Sequence, residues 1–253
     1  MKLSIYTSAF NLHKNGFADW EKSFESFSEF ADEVVVAINT SEDSTLQSVE
    51  ALPFSNIRIV KCDIPYTDPL LDGKLKNRAL QYCSGDILVQ LDMDEYIPLW
   101  QKDMWYSLGR YLLCFDGIDC FMIPSLNLYK DKNHYKDISQ KWYMHKRGLF
   151  RGPVNFARKK DGTIDTSKSD GCELIDSNSN LVRWANTSHA IENNDCPFVV
   201  HTGYLDLQAR LKRNKEFWLQ HWLTESGGDK PPHKVHEKME DFDEEYFPHN
   251  FKL

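Results

Sequence analysis

Residues 86–95 read Asp-Ile-Leu-Val-Gln-Leu-Asp-Met-Asp-Glu, and this stretch decides the fold. Its apolar part, residues 86–91, predicts a β-strand, and three acids follow that strand at once. In an open parallel sheet, ligands bind at the carboxyl ends of the strands. We therefore expect Asp92, Asp94 and Glu95 to lie at the edge of a sheet where a ligand binds.

The chain before this stretch alternates between strand and helix patterns. Strands are predicted at 3–7, 34–38 and 57–60, the second of them a β-branched run typical of a strand covered on both faces. An aromatic stripe with spacings of three and four residues predicts a helix over 17–30, and a second helix is expected over 72–83. This order predicts an α/β fold with a mainly parallel central sheet flanked by helices.

The second half of the chain is less regular. It predicts a helix over 99–113, strands at 121–123, 142–150 and 198–201, and a helix over 205–223. The last helix carries four basic residues, Arg210, Lys212, Arg213 and Lys215. They are interpreted as a solvated face of a packed helix, with peripheral contact to an anionic membrane surface as the alternative. With no clear linker, we expect one domain over 1–225 and an acidic tail over 226–253.

Composition excludes several classes of protein. The 253 residues carry 30 Lys and Arg against 38 Asp and Glu, a net charge of −8, which disfavours a general nucleic-acid binder. The sequence has no run of about 18 apolar residues, so no membrane span is predicted. The first residues lack the apolar core of a signal peptide, so secretion is not expected. The six cysteines form no C-x-x-C pair and are expected to be reduced structural thiols. These features predict a cytoplasmic protein.

The acids after residue 91 have the chemistry of a cation site. Carboxylate oxygens suit Mg²⁺ or Mn²⁺, which commonly share their ligands with substrate phosphates. Because Asp92, Asp94 and Glu95 and a diphosphate would repel one another, we expect a cation between them to be needed for binding.

Three segments around the acids resemble one enzyme family. Residues 76–80 read Lys-Asn-Arg-Ala-Leu, Gly85-Asp86 precede the strand, and Leu-Asp-Met-Asp-Glu ends it. With this spacing, residues 1–100 resemble glycosyltransferase family 2, nucleotide-sugar enzymes of the GT-A fold, although Lys76 stands where Arg is usual. The resemblance implies a nucleotide-sugar half over 1–100 and an acceptor half over 101–225.

The resemblance also implies site residues. The nucleotide-sugar site would be formed by Thr7, Ser8, Ala9, Asn39, Lys74, Lys76, Asn77, Asp92 and Met93. The family motif D-x-x-S-x-D-x-T is matched at Ser41, Asp43 and Thr45, but Asn39 replaces its first Asp. We expect the Asn39 amide to face the base instead. The metal ligands would be Asp92, Asp94 and His201, with Asp94 the direct ligand and Asp92 weaker or water-mediated.

A general base is harder to place. Related enzymes carry G-x-V-H-E where this chain has Asn155-Phe156, so the glutamate is absent. The remaining candidates are Asp170, which we favour, and Glu173, followed by Glu192 and Asp195.

The resemblance implies a metal-dependent, inverting glycosyltransferase. It would move a sugar, most simply from a UDP-sugar, to a hydroxyl on a glycan, lipid-linked or protein-linked acceptor. The alternatives are a catalytically degenerate protein that binds a nucleotide sugar or glycan, and a phosphatase of the haloacid dehalogenase type. The second is disfavoured because Glu95-Tyr96 follows the D-x-D and the motif lies deep in the chain. A sugar-nucleotide pyrophosphorylase is disfavoured because residues 7–16 lack its glycine-rich loop.

Overall fold

The computed structural model describes most of the first 152 residues and separate segments beyond them. The described residues are 1–17, 19–66, 68, 71–152, 173–178, 180, 182–187, 195–213, 215, 239, 245–249, 251 and 253, with the backbone alone at 142, 151, 152 and 173.

Twelve strands occur in this part of the chain, ten of them in one sheet. In chain order they are β1 (Leu3–Ala9), β2 (Glu33–Asn39), β3 (Ile57–Cys62), β4 (Ile87–Gln90), β5 (Glu95–Tyr96), β6 (Cys120–Tyr129), β7 (Asp131–Lys146), β8 (Phe150–Gly152), β9 (Glu173–Ile175), β10 (Trp184–Asn186), β11 (Val199–Tyr204) and β12 (Phe247–Pro248). Strands β8 and β9 form a separate antiparallel pair.

The sheet has the order β3-β2-β1-β4-β7-β6-β11-β5, with β10 also paired to β6 and β12 to β7. Its first four strands are parallel. Strand β7 runs antiparallel to both β4 and β6, and β11 runs parallel to β6. The predicted α/β fold with a central, mostly parallel sheet is therefore confirmed, and β2 and β4 share that sheet as expected.

Helices cover both faces of the parallel strands. They are α1 (Trp20–Phe30), α2 (Thr45–Glu50), α3 (Leu71–Leu80), α4 (Lys102–Cys114) and α5 (Leu207–Arg213). The aromatic stripe of α1 packs with α4 against one face, where Leu3 and Ile5 of β1 point. Helix α3 covers the other face, where Tyr6 points. Successive residues of a strand thus enter different cores, which explains the continuous apolar runs.

The second half differs from the sequence-based expectation. A strand was expected over 142–150, but β7 begins at Asp131 and forms a long hairpin with β6. Lys130, at φ 65, makes the tight turn between them. The first part of this strand was not predicted because residues 131–141 are mostly polar. A half-buried strand keeps one polar face, so it lacks the continuous apolar run of a buried strand. Helix α5 ends at Arg213, so the expected helix over 205–223 is confirmed only at its start, and residues 216–223 lie outside the described part. Among the residues described, no helix is long and apolar enough to cross a bilayer.

Candidate functional site

The carboxyl ends of β1, β2 and β4 meet at one edge of the sheet. Strand β1 pairs with β2 on one side and β4 on the other, so the strand order reverses there, which is where open α/β sheets bind ligands. The acids after β4 form a tight turn at this edge. The Glu95 N–H donates to the Asp92 carbonyl at 3.0 Å, and the Asp92 N–H donates to Glu95 Oε2 at 2.9 Å.

Asp92 is paired with Lys76 of α3. Its Oδ1 lies 3.2 Å from Lys76 Nζ and accepts a bond of 2.7 Å from Gln90 Nε2. Lys76 is buried and also lies 2.8 Å from Asp72, which accepts a bond from Ser8 at 3.1 Å. Burial alone would raise the pKa of Asp92, but the positive charge of Lys76 holds it below its usual value.

Asp94 faces two basic side chains. Its Oδ2 lies 3.5 Å from His201 Nε2 and 3.5 Å from Arg213 Nη1. The Asp94 carbonyl accepts bonds from the Thr202 N–H at 2.7 Å and hydroxyl at 3.0 Å, which fix β11 against the turn. Burial opposes ionisation of Asp94, yet His201 and Arg213 outweigh it and hold its pKa far below the usual range.

Glu95 is fully buried and has a structural role. Its Oε1 accepts bonds from Lys141 Nζ at 2.7 Å and from the Tyr143 hydroxyl at 2.5 Å. Burial disfavours the charged form of Lys141, but Glu95 outweighs it and raises the pKa of Lys141 well above its ordinary value.

Each acid of the turn therefore has its own basic partner: Lys76 for Asp92, Arg213 for Asp94 and Lys141 for Glu95. The sequence-based argument for a bound cation counted these acids and left out Arg213 and Lys141, two of the bases that the fold brings to them. The need for a cation when a diphosphate binds stays a prediction.

Gly203 keeps open the space between Asp94 and His201. The register of β11 shifts between His201 and Tyr204, as in a β-bulge. A Cβ atom on Gly203 would lie 2.7 Å from Asp94 Oδ2 and 2.7 Å from His201 Nε2. Within the described part of the chain, His201 Nδ1 is buried with no hydrogen-bond partner.

These residues fit a divalent cation as a two-ligand site. Asp94 and His201 present an oxygen and a nitrogen 3.5 Å apart, close enough for both to reach one ion. Among the described residues, no group of three His, Cys, Asp or Glu side chains could hold a metal by itself. A cation here would need substrate oxygens and water, as is common for Mg²⁺.

A pocket of about 170 Å³ opens beside Asp94. It is lined by the loop before α1, by the acid turn and by the loop around α5, including Phe17, Asp19, Met93, Gly203 and Arg213. Asp19 precedes α1, but its side chain does not cap that helix. A carboxylate at an N-cap usually accepts hydrogen bonds from the free N–H groups of the first turn. Asp19 lines the pocket without making such a bond to α1.

The other predicted nucleotide residues lie at or near the same edge. Thr7 is buried, and its hydroxyl has no partner within the described residues. Asn39 bonds the backbone of Ile64 twice, through Nδ2 at 2.9 Å and Oδ1 at 2.8 Å. Lys74 Nζ lies 2.5 Å from Asp68 Oδ2. The roles of these side chains toward a nucleotide, like those of Ser8, Ala9, Asn77 and Met93, stay predictions.

The predicted bases fall mostly beyond the description. Asp170 and Glu192 lie outside the described residues, and at Glu173 only the backbone of β9 is described. Asp195 is exposed, one residue before buried Cys196. All four assignments stay predictions.

Two site residues were missed from the sequence. Lys141 lies in the polar strand segment that was not expected, and Arg213 was grouped with a solvated basic face. No local pattern distinguishes Arg213 from Arg210 and Lys212, which lie beside it on the same short helix. Arg213 is buried and points into the site, so it is not part of an exposed basic face.

Comparison with known proteins finds similarity among solved structures only. No protein-family model and no curated protein matches the chain. The chain is similar to S. aureus TarS 1-349, at 15% identity and a TM-score of 0.47, over 94% of this chain and 67% of that one. The same protein in complex with UDP-GlcNAc gives 16% identity and a TM-score of 0.43, over 75% and 60% of the two chains.

A second similar protein is glucosyl-3-phosphoglycerate synthase from Mycobacterium tuberculosis. Its complex with Mg²⁺ and UDP gives 24% identity and a TM-score of 0.33, over 49% of this chain and 43% of that one, so the chain spans less than half of its length. The function proposed below depends on the site residues.

Proposed function

We propose that the protein is a metal-dependent glycosyltransferase that moves a sugar from a nucleoside diphosphate sugar, UDP-sugar in the first instance, to a hydroxyl acceptor. The observation that carries this proposal is the arrangement of Asp94, His201 and Gly203 at the carboxyl end of β4. An acid and an imidazole face each other across a space that a glycine leaves open, at the reversal of strand order in a parallel sheet.

Asp94 and His201 would hold the divalent cation, Mn²⁺ or Mg²⁺. The ion, when bound, would offset negative charge on the departing diphosphate. His201 must be neutral at Nε2 to act as a ligand, and its buried Nδ1 would then need a partner such as water. Such a site keeps most of its coordination sphere for the substrate, since the described part of the chain supplies two ligands and no cluster of three.

Asp92 and Lys76 form the neighbouring part of the proposed site. The Asp92 side chain is 38% exposed, whereas Lys76 is almost fully buried beneath it. Lys76 fixes the carboxylate in place through its charge and leaves the outer face of Asp92 open to a ligand. The exposed oxygens of this carboxylate can accept a hydrogen bond from a hydroxyl group, such as one of a ribose.

The acceptor hydroxyl has to lose a proton during transfer, which requires a general base within hydrogen-bond reach. Asp170 is our proposal for this base, with Glu173 second. An inverting outcome follows if the base faces the sugar from the side opposite the diphosphate. Asp19 offers a test of this choice, because its carboxylate lines the pocket beside Asp94.

Calorimetry with UDP tests the proposed site directly. UDP is expected to bind the wild-type chain with Mn²⁺ and at least about tenfold more weakly with EDTA, because a cation held by Asp94 and His201 would offset the negative charge of the diphosphate. Asp94→Asn is expected to give the EDTA value in both conditions. Asp116→Asn, which changes an exposed acid in the loop between α4 and β6 that does not line the pocket, is the matched control and should bind as the wild type. Equal UDP binding with EDTA and with Mn²⁺ would contradict the metal-dependent site.

Turnover separates an enzyme from a binding protein that has lost catalysis. Hydrolysis of UDP-sugars with Mn²⁺, followed by release of UDP, is expected for an active transferase even without its acceptor. If UDP binds with Mn²⁺ but no UDP-sugar is hydrolysed or transferred, the protein is the degenerate binder. Asp170→Asn and Asp19→Asn then identify the base: the correct one should slow turnover by about 10² to 10⁴ with little change in UDP affinity.

A further inference from the structure

The guanidinium of Arg213 is held inside the site by three contacts. Its Nη1 lies 3.5 Å from Asp94 Oδ2, its Nη2 donates to the Gly203 carbonyl at 3.2 Å, and its Cζ lies 4.2 Å from the centre of the Phe17 ring. The side chain is only 6% exposed. Within the described residues its Nε has no hydrogen-bond partner. Arg213 is therefore a buried cation that is incompletely satisfied and lines the pocket.

Arg213 and His201 face the same oxygen atom of Asp94. A divalent cation between Asp94 and His201 would thus enter beside a positive charge that is already there. Two cations within a few ångströms repel strongly in a partly dehydrated site. By charge alone, Arg213 opposes binding of the free metal ion.

The other charges around Arg213 do not remove this conflict. Asp206 contributes a favourable charge, while Arg210 contributes a repulsive one. Asp94 is the one carboxylate that the described structure places within 4 Å of the guanidinium. A nucleoside diphosphate changes the balance, because its oxygens bring negative charge that both the metal ion and a guanidinium bind well.

We propose that Arg213 couples the binding of the divalent cation to that of the nucleoside diphosphate. Without ligands, Arg213 neutralises Asp94 and weakens the site for the free ion. With the diphosphate present, the guanidinium binds the phosphate oxygens and Asp94 becomes available to the cation. This inference rests on the proposed function. Because coupling between two ligands is reciprocal, the metal ion should strengthen diphosphate binding by the same factor.

Mn²⁺ titration followed by electron paramagnetic resonance tests this role without measuring turnover. The signal of free Mn²⁺ gives its dissociation constant for the full chain, alone and with saturating UDP. In the wild type, UDP is expected to raise Mn²⁺ affinity by about tenfold or more, within the usual range of coupling between sites. In Arg213→Gln, which removes the charge but keeps a donor for the Gly203 carbonyl, Mn²⁺ alone should bind at least about threefold more tightly. The factor by which UDP raises the affinity for Mn²⁺ should be at least about fivefold smaller than in the wild type.

Two variants complete the experiment. Arg183→Met removes an exposed arginine that pairs with Asp119 and should match the wild type in both titrations. Arg213→Lys keeps the charge and should keep the coupling within about threefold, which also covers the case in which Arg213→Gln does not fold. Circular dichroism establishes the folded state of each variant.

The outcomes are distinguishable. If a folded Arg213→Gln binds Mn²⁺ alone as the wild type does, with the same gain from UDP, or if a folded Arg213→Lys loses the coupling, the proposal is overturned. If UDP has no effect on Mn²⁺ binding in the wild type, the proposed nucleotide function fails. The affinity of Arg213→Gln for Mn²⁺ alone then still decides whether Arg213 opposes the cation.

Discussion

Lys141 Nζ lies 2.7 Å from Glu95 Oε1, so a residue of the long hairpin neutralises the last acid of the turn. Glu95 is fully buried, and its other oxygen accepts the Asp92 N–H. The ion pair therefore fixes the conformation of the turn that presents Asp92 and Asp94. It also joins β7 to the end of β4, although the two segments are far apart in sequence.

Replacing Lys141 by Met should destabilise the protein, because it leaves the Glu95 carboxylate buried without its cation. Loss of one partner of a buried pair costs about 3 to 5 kcal/mol, and the lower value is expected here because the Lys141 side chain is 39% exposed. Urea unfolding measures the difference. The double variant Glu95→Gln with Lys141→Met should recover part of the loss, and equal stability of the single and double variants would argue against the pairing.

Gly203→Ala should impair the site and leave the fold intact. The new methyl group would lie 2.7 Å from Asp94 Oδ2 and from His201 Nε2, so these two side chains would have to move apart. UDP affinity in the presence of Mn²⁺ is expected to fall at least about tenfold. The melting temperature should change by only a few degrees, because the displaced atoms are side-chain ends. Unchanged Mn²⁺-dependent binding in Gly203→Ala would show that the space it fills is not used.

Lys76→Met should weaken both stability and nucleotide binding, whereas Lys76→Arg should preserve them. Lys76 is buried between Asp72 and Asp92, so its loss leaves two carboxylates without their shared cation. Arginine restores the charge, and it is the usual residue at this position in the family that residues 1–100 resemble. Calorimetry with UDP and thermal unfolding of both variants test this expectation. Similar values for Met and Arg at this position would contradict it.

Asp43 should contribute to stability in a pH-dependent way. Its carboxylate accepts the N–H groups of His13, Lys14 and Thr45 at 2.9 to 3.0 Å and so joins the loop after β1 to helix α2. Burial would raise the pKa of Asp43, but the hydrogen bonds from Thr45 and Lys14 outweigh it and lower the pKa below 3.8.

The sign follows from linkage. A carboxyl group with a lowered pKa in the folded state stabilises the protein above its unfolded pKa, and this contribution is lost as pH falls through the folded value. Asp43→Asn should therefore be less stable than the wild type by about 1 kcal/mol at pH 6, since the site is partly exposed. The difference should shrink as the pH falls from about 4 towards 2. Urea unfolding across this range, with Asp116→Asn as control, checks it; a constant difference would contradict the role of the charge.

The parallel half of the fold was predictable because its signals are local. Apolar runs such as 34–38 and the aromatic stripe of α1 specify elements buried against the sheet, and strands followed by helices specify parallel pairing. The acids after β4 were placed correctly at the sheet edge for the same reason. Helix α2 was not expected, since its six residues carry too short a pattern to reveal a period.

The charge balance of the site was not predictable from local patterns. Lys141 lies on a strand whose neighbours are polar, and Arg213 lies among other basic residues on a short helix. Nothing in either segment identifies which base turns inward. Only the hairpin of β6 and β7, and the bulge of β11 next to α5, bring these two side chains to Glu95 and Asp94.

The two hydrogen bonds between the Asn39 side chain and the backbone of Ile64 give Asn39 a structural role. The amide offers one donor and one acceptor, as a peptide group does, and so it extends the ladder between β2 and β3 by one rung beyond the strands. An aspartate could accept the Ile64 N–H, but its oxygens would face the Ile64 carbonyl without a proton between them. The asparagine that departs from the family motif is thereby part of the architecture of this chain. Replacing Asn39 should therefore disturb the junction of β2 and β3 as well as any contact that this side chain makes with a nucleotide in the proposed function.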